Sequence, residues 1–326
     1  MKVVELYDKA KEPLISFEII PPKRGGSIQT VFEALDQVMQ FNPPFIDVTS
    51  HAAEAYYEEL GDGSMKRHIK RKRPGTIGLC AAIKHRYNVE PVPHIICKGF
   101  TREETEDALI ELNYLGIQNV LAIRGDDPGS AKPHHKNRET NEYAVDLVRQ
   151  IGRMNKGVYL ENMLEATKTD FCIGVGGYPE KHIEAPNMNW DLMRLKEKVE
   201  AGADYIVTQM FFDNQYFFDF ERKCREIGIT VPIIPGLKVI TKASHLTMLP
   251  KIFHLNIPIP LSDEISQSPD RAREIGIEWC TRQCAELLDA GVQGLHYYIM
   301  SNPSPVVEVI NRLPVSGFSN AFTTGN

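Results

Sequence analysis

Cysteine is scarce and scattered along the 326-residue chain. None of the six cysteines forms a CxxC motif, which argues against a disulfide framework and against a structural zinc site. Free cysteine behaves as a small hydrophobic residue, so we expect all six to be buried thiols. They are Cys80, Cys97, Cys172, Cys224, Cys280 and Cys284.

Long apolar runs and an excess of basic charge are also missing. No run reaches the ~18 to 20 apolar residues of a membrane-spanning helix, and the first residues, MKVVELYDKAKEPL, lack the apolar stretch of a secretion signal. A net charge of −6 and a pI of 6.0 disfavour binding to nucleic acid or to an anionic membrane surface. We therefore expect a cytoplasmic protein with neither type of partner.

The common nucleotide and metal motifs are absent as well. The chain has no Walker A sequence, and in GVGGYP Pro179 stands where a dinucleotide fingerprint has its third glycine. Gly176 and Gly177 more plausibly let a flat ring approach without a side chain in the way. No HxH or HExxH pattern supports a metal site, so no metal is expected. A metal-dependent hydrolase using His94, His134 and His182 is kept as an alternative.

What the sequence does contain is an alternation of short β-like runs with helix-length segments. The runs are mostly continuous in apolar residues, as expected of strands covered on both faces. They are LISFEII (14–20), FIDVTS (45–50), PVPHIIC (91–97), NVLAIRG (119–125), CIGVGGYP (172–179), DYIVTQMFF (204–212), VPIIPGL (231–237) and GLHYYIM (294–300).

Eight such repeats favour a single α/β domain, a (β/α)8 TIM barrel, over an open doubly wound sheet. We expect the barrel over residues 1–326, with its core at about 14–312 and a frayed tail at 313–326. Among the helices, TREETEDALIELNYLG should begin after Thr101 and bury Ala108, Leu112 and Leu115. The connections 126–139 and 251–268 are candidate active-site loops. The basic run 66–73 is interpreted as a solvated helix face.

In such a barrel the active site is built at the carboxyl ends of the strands. Polar residues follow or end nearly every predicted strand, which indicates a common rim. They are Glu18, Thr49, His94, Arg124, Asp126, Tyr178, Glu180, His182, Gln209 and Tyr298.

Two carboxylates at this rim differ in their surroundings. Glu18 lies inside the apolar run SFEIIPP, where desolvation should raise its pKa into the range of a general acid at neutral pH. A structural pairing with an arginine is its alternative role. Asp126 follows Arg124 and Gly125 in a more polar segment, so it should stay ionised. An ionised carboxylate suits a ligand with two adjacent donors, such as the aminopyrimidine edge of a pterin.

Taken in order, the motifs SFEIIPP, IDVT, PHIIC, IRGD, GGYPEKH, LKEKVEAGAD, TQMFFD and IIPG resemble methylenetetrahydrofolate reductases of the short prokaryotic type. The resemblance runs from about Leu14 to Met300. It implies a barrel with non-covalent FAD and ping-pong reduction of 5,10-methylenetetrahydrofolate to 5-methyltetrahydrofolate by NADH or NADPH. It leaves no room for the C-terminal regulatory domain of the eukaryotic form. We also expect a homo-oligomer. Another FAD-dependent barrel oxidoreductase with a different electron donor is the main alternative.

The resemblance also implies roles for individual residues. Glu18 matches the acid that opens the folate ring, Asp126 the carboxylate that contacts the pterin and influences the flavin, and Gln209 an amide that contacts either substrate. Tyr298 and Leu249 are further expected substrate contacts. Positions that match FAD contacts are Thr49, His94, Arg124, Gly125, Asp126, Gly176, Gly177, Tyr178, His182, Asp191 and Lys198.

Three positions depart from the family pattern. After IIPG the family has a proline shortly downstream, whereas this chain continues LKVITKASHL. The aromatic residue that stacks on nicotinamide in the family is either replaced by Leu249 or displaced to Phe253 in this chain. Asn302 stands in place of an arginine associated with the folate tail. The electron donor and the contacts to the folate tail are therefore left open by the sequence.

Overall fold

A computed structural model describes residues 1–125, 138–300 and 302–313. Eleven strands are found in these residues: β1 Leu14–Ile19, β2 Phe45–Val48, β3 Glu54–Glu59, β4 Met65–Lys70, β5 Glu90–Ile96, β6 Asn119–Ile123, β7 Cys172–Gly177, β8 Tyr205–Thr208, β9 Ile233–Ile234, β10 Gly236–Leu237 and β11 Gly294–Met300.

Helices follow most of the strands. They are α1 Val3–Lys9, α2 Gln29–Val38, α3 Thr76–Tyr87, α4 Arg102–Tyr114, α5 Ala144–Met154, α6 Met188–Glu200, α7 Asn214–Glu226, α8 His245–Phe253, α9 Ile259–Gln267, α10 Ala272–Asp289 and α11 Ser304–Arg312. Two short 3-10 turns, Met39–Phe41 and Pro269–Arg271, complete the regular structure of the described residues.

The main sheet closes on itself through a strand that a proline divides. Nine segments pair in the order β10-β11-β1-β2-β5-β6-β7-β8-β9, all in parallel. Only Pro235 separates β9 from β10, and its carbonyl accepts a hydrogen bond from the His296 N–H at 3.0 Å. Because β9 and β10 are two halves of one strand, the nine segments form a ring of eight. This confirms the predicted barrel and excludes the open sheet.

Helix α1 covers the amino end of the barrel. Its apolar face, Val3, Leu6 and Tyr7, packs against barrel residues such as Leu14 and Phe45. The Asn119 side chain fixes the helix, since its Oδ1 accepts from the Val3 N–H at 2.8 Å. With that end filled, a ligand must approach from the carboxyl ends of the strands.

Helix α4 begins as its sequence predicts but buries a different face. Thr101 Oγ1 accepts a hydrogen bond from the Glu104 N–H, and the Glu104 carboxylate accepts one from the Thr101 N–H, which forms a capping box. The buried side chains are Thr105, Leu109 and Leu112. The prediction for Leu115 was wrong, because this residue is 42% exposed just beyond the last turn.

Two segments differ from the sequence-based expectation. The basic run 66–73, predicted as a helix face, contributes strand β4 to an exposed antiparallel hairpin with β3. Local cross-strand pairing overrides its helical charge pattern here, for example between Tyr56 and His68, whose rings stack 4.9 Å apart. The connection 251–268, predicted as a loop, includes helix α9 and the end of α8.

The cysteine prediction is confirmed, because all six side chains are buried and free. Within the described part of the chain, no helix has the length and apolar character to cross a membrane. The predicted tail beyond Leu313 lies outside the described residues, as do 126–137.

Candidate active site

The carboxyl ends of the parallel strands bring most of the predicted site residues to one rim. Because all eight strands of the ring run in the same direction, residues at their carboxyl ends share one end of the barrel. The described members of this rim are Glu18 on β1, Thr49 after β2, His94 on β5, Arg124 and Gly125 after β6, Tyr178 after β7, Gln209 after β8 and Tyr298 on β11.

A buried cluster of Glu18, His94 and Asp47 lies inside the barrel. The His94 Nε2 atom is 3.4 Å from Glu18 Oε2 and 3.5 Å from Asp47 Oδ2. Glu18 is 9% exposed and Asp47 is completely buried. One imidazole nitrogen therefore lies close to two carboxyl groups without a hydrogen bond to either, and neighbouring strands β1 and β2 place these carboxyl groups side by side in register.

Burial sets the protonation of this cluster. Desolvation raises the pKa of Glu18 to about 7, against the opposing effects of His94 and Lys238. Desolvation also raises the pKa of Asp47 well above its usual range and lowers that of His94. The shifts of Asp47 and His94 favour their neutral forms, and Glu18 is partly protonated at neutral pH. Glu18 can thus carry a proton near neutral pH.

Neighbouring strands support the cluster with further buried polar contacts. Ser16 Oγ and His296 Nδ1 form a hydrogen bond of 2.8 Å between β1 and β11. The Tyr298 hydroxyl donates to the Thr208 carbonyl at 2.5 Å, which holds the Tyr298 ring in place next to the β10 strand. Tyr298 and Glu18 are register partners, so their side chains face the same side of the sheet.

Sequence analysis missed Asp47, although the same signal that indicated Glu18 was present. Asp47 is a charged residue inside the apolar strand FIDV, as Glu18 is inside SFEII. None of the described residues forms a hydrogen bond with either carboxyl oxygen of Asp47. An unpaired buried carboxyl is costly to ionise, which explains the direction of its pKa shift.

On the other side of the mouth, Arg124, His182, Asp191 and Lys198 form a second charged group. Arg124 pairs with Glu184, and its guanidinium lies 5.2 Å from the Tyr143 ring centre. The backbone N–H of His182 donates to Asp191 Oδ2 at 2.8 Å. The Lys198 ammonium donates to the Gly176 carbonyl at 2.6 Å. Five predicted positions are thereby brought together, on β7 and α6 and in the segments that follow β6 and β7.

In and near this second group, some buried polar atoms have no hydrogen-bond partner among the described residues. Burial lowers the pKa of Lys198 to about 8, although the Asp191 charge opposes the shift. Among the described residues, no partner accepts from the buried Arg124 Nε or bonds to the buried Thr49 Oγ1. A side chain at Gly176 would meet open space, since its nearest neighbour, the Tyr178 hydroxyl, is 4.0 Å away. These features fit a polar, anionic ligand with a flat ring.

Gly177 has a different explanation from Gly176. A Cβ at Gly177 would lie 2.8 Å from an Ile206 methyl and 2.9 Å from the Phe220 ring. Packing of helix α7 against β8 therefore requires glycine at this position whether or not a ligand is bound. Only Gly176 supports the idea of a ring approaching without a side chain in the way.

The expected substrate contacts are only partly placed for that role. Gln209 is half-buried at the rim, and its Oε1 accepts from the Met210 N–H at 2.9 Å. Leu249 is 2% exposed and packs among Met210, Phe212 and Ile240, so its position does not support the expected contact with a nicotinamide. Phe253 packs partly buried against the same cluster.

Three further positions were singled out in the sequence, and one of them lies among the described residues. Asn302 is exposed and accepts a hydrogen bond from the Ser304 N–H at 3.2 Å. Asp126, for which a pterin contact is predicted, lies outside the described residues, as does His134. Within residues 1–125, 138–300 and 302–313, no group of three or more His, Cys, Asp and Glu side chains is placed to hold a metal ion.

A closed parallel barrel with a protonated acid and a buried cationic group at its open end has the architecture of a (β/α)8-barrel enzyme. The chain belongs to the methylenetetrahydrofolate reductase family, whose sequence model matches residues 2–314. This confirms the resemblance inferred from the ordered motifs.

Individual relatives differ in how much of their length the chain spans. Methylenetetrahydrofolate reductase 2 of Saccharomyces cerevisiae is 32% identical over 98% of this chain, which spans 51% of that protein. The 5,10-methylenetetrahydrofolate reductase of Salmonella typhimurium is 28% identical over 92% of this chain and 90% of its own length. The chain thus spans about half of the yeast relative and most of the Salmonella relative.

A solved structure shares the barrel architecture. A Clostridium thermocellum protein that binds two copies of 5-methyl-5,6,7,8-tetrahydrofolic acid aligns with a TM-score of 0.54 and 11% identity, over 94% of this chain and 98% of its own. The low identity limits this similarity to the fold.

Proposed function

We propose that this chain reduces 5,10-methylenetetrahydrofolate to 5-methyltetrahydrofolate with NADH or NADPH as the hydride donor. The observation that carries the proposal is the Glu18 carboxyl, whose pKa of about 7 leaves it partly protonated at neutral pH at the open end of the barrel. Family membership and the activity for which the Salmonella relative is named support the choice of substrate. A homo-oligomeric state and a cytoplasmic location stay predictions.

Glu18 supplies the acid that the substrate needs. The methylene carbon of the folate is bonded to two nitrogens in a five-membered ring, and a hydride can add to it once one of these bonds opens to an iminium. In this proposal the Glu18 O–H bond breaks as an N–H bond forms at the departing nitrogen. The bond between that nitrogen and the methylene carbon breaks, and its electron pair stays with the nitrogen. The proton transfer leaves a Glu18 carboxylate and a cationic iminium, so charge is balanced.

The cationic group on the other side of the mouth fits a non-covalent FAD. Bound there, FAD would accept a hydride from NAD(P)H and return it to the folate in a ping-pong cycle. Arg124 and Lys198 would hold the diphosphate charge, and Thr49, Tyr178 and Asp191 offer polar atoms to the rest of the molecule. Gly125, Gly176 and His182 line the same region. Asp126 and Gln209 remain predicted contacts to the reacting rings.

An anaerobic titration tests the function. Purified protein should be yellow, lose its flavin absorbance on addition of NADH or NADPH, and regain it when 5,10-methylenetetrahydrofolate is added. Colourless protein that does not bind added FAD would contradict the flavin assignment. Protein that is bleached but not reoxidised by the folate would point to another FAD-dependent oxidoreductase.

The Lys198 amine gives a separate prediction for FAD binding. Replacing Lys198 by Met should weaken FAD binding by about tenfold to a hundredfold, because a buried charge-assisted contact to an anionic ligand is lost. The dissociation constant can be measured from the change in flavin fluorescence. Lys196→Met, on the same helix α6 and in contact with Glu200 at 3.8 Å, is the matched control and should bind FAD like the wild type. Equal FAD affinity in the two variants would refute the role of Lys198.

A further inference from the structure

Lys238 places a cation beside the acid Glu18. It follows β10, the half-strand that pairs with β11, and β11 in turn pairs with β1, which carries Glu18. The Lys238 Nζ atom donates to the Tyr298 carbonyl at 2.8 Å. Tyr298 is the register partner of Glu18, so the ammonium is fixed at the strand position next to the acid.

Charged and titratable groups surround this pair from several elements. Asp47 on β2, His94 on β5 and Tyr298 on β11 face Glu18. The Glu18 charge raises the pKa of Lys238, and the Lys238 charge lowers the pKa of the nearby His245 on α8. Burial lowers the pKa of Lys238 to about 8, while the Glu18 charge raises it. At neutral pH the amine is therefore mainly an ammonium, and it is the cation on this side of the acid.

We propose that Lys238 is a positioning residue that stabilises the Glu18 carboxylate formed when Glu18 gives its proton to the folate nitrogen. This inference rests on the proposed function. Before the transfer, the ammonium faces a neutral carboxyl group and gains little. After the transfer it faces a carboxylate in a desolvated site, where opposite charges attract strongly. Stabilisation that grows as the proton leaves lowers the barrier to the transfer.

The surroundings of Lys238 are unusual for a lysine. Lys238 lies in LKVITKASHL, the segment that departs from the family pattern after IIPG. A lysine with a long, flexible side chain would ordinarily keep its charge in water. Here it is instead held over the barrel mouth, where a cation has to be compensated. The Glu18 carboxylate produced by the reaction provides that compensation.

Two measurements test the role of Lys238. The first follows the Glu18 titration by carbon NMR in protein labelled at the glutamate carboxyl carbons, with Glu18→Gln used to assign the signal. Lys238→Met should raise the Glu18 titration midpoint by about one pH unit or more, because a neighbouring opposite charge is removed. Lys238→Gln keeps a donor for the Tyr298 carbonyl but no charge, and should show the same rise. Lys238→Arg should stay near the wild type.

The second measurement uses anaerobic stopped-flow mixing of the FAD-loaded protein. In Lys238→Met, reoxidation by 5,10-methylenetetrahydrofolate should slow by about threefold to tenfold, since a weaker acid transfers its proton more slowly. The alkaline limb of its pH profile should move up with the Glu18 midpoint. Flavin bleaching by NAD(P)H should change by less than about twofold. Lys242→Met, an exposed lysine four positions on, is the matched control and should match the wild type throughout.

The outcomes separate this inference from the function on which it rests. An active wild type combined with an unchanged Glu18 midpoint in Lys238→Met and Lys238→Gln would contradict the role of Lys238 alone. A shift in Lys238→Met that Lys238→Gln reverses would show that the hydrogen bond to Tyr298 matters and not the charge, and would also overturn the proposal. A wild type that is bleached by NAD(P)H but never reoxidised by the folate would contradict the proposed function.

Discussion

Replacing Glu18 by Gln is expected to slow folate reduction by about a hundredfold to ten-thousandfold, the usual contribution of a general acid. Gln has nearly the shape of a protonated Glu, so the site should keep its packing around β1. It cannot release a proton to the folate nitrogen, and the five-membered ring then has to open without acid assistance. Oxidation of NAD(P)H requires no proton from Glu18, so flavin bleaching should remain within about twofold of the wild type.

Stopped-flow measurement of the two half-reactions in separate mixing experiments checks this prediction. Glu12→Gln makes the same change at an exposed position two residues before β1 and should leave both rates unchanged. The pH profile provides a second test. Folate reduction by the wild type should fall above about pH 7, where Glu18 loses its proton, and this limb should be missing in Glu18→Gln. Equal slowing of both half-reactions would show that Glu18 supports the site in general and does not act as the acid of the folate.

The position of this acid could be predicted because two sequence signals coincided. Glu18 interrupts an apolar run, which marks it as buried, and it lies near the carboxyl end of a predicted strand, which places it at the mouth of a barrel. Strand order also followed from the sequence, since eight apolar runs alternating with helices have few arrangements other than a closed ring. Arg124 could be placed at the same mouth by its position after a predicted strand, whereas Lys198 was placed there only through the ordered family motifs.

Other features depend on contacts between distant segments, although the local signal of a charged residue inside an apolar strand was present at Asp47. Asp47 and Lys238 influence the acid only because β2 and β10 lie close to β1 in the closed ring. The family resemblance placed Leu249 at a substrate position, but its helix turns the side chain into an apolar cluster. The basic run around His68 has a helical charge pattern, whereas pairing with β3 makes it a strand. In each case tertiary packing outweighed the local pattern of the sequence.

The charge state of the Glu18, His94 and Asp47 cluster connects stability to catalysis. Two arrangements satisfy its geometry. In one, an imidazolium bridges two carboxylates. In the other, all three groups are neutral. Desolvation acts against every charge in the barrel interior, so the pKa shifts favour a neutral Asp47 and a neutral His94 at neutral pH, with Glu18 partly protonated. A neutral cluster keeps Glu18 ready to donate, and it also makes stability depend on pH.

Asp47→Asn is therefore expected to stabilise the folded protein, and increasingly so as the pH rises. The pKa of Asp47 is raised in the folded state, so between its unfolded value near 4 and its folded value the native protein holds a proton that the unfolded chain has released. Unfolding is then favoured by each increase in pH, by about 1.4 kcal/mol per unit. Asn has no such proton to lose. The difference in unfolding free energy should be small at about pH 4 and grow steadily as the pH rises towards neutrality.

Urea unfolding at a fixed FAD concentration over this pH range measures the difference. Asp8→Asn, an exposed aspartate on α1, is the matched control and should stay within about 0.5 kcal/mol of the wild type at every pH. The opposite result is equally informative. If Asp47 were ionised against a protonated His94, Asn at this position would leave a buried imidazolium short of one partner and destabilise the protein by about 3 to 5 kcal/mol at neutral pH. The sign of the change at neutral pH thus decides between a neutral and a charged cluster around the acid.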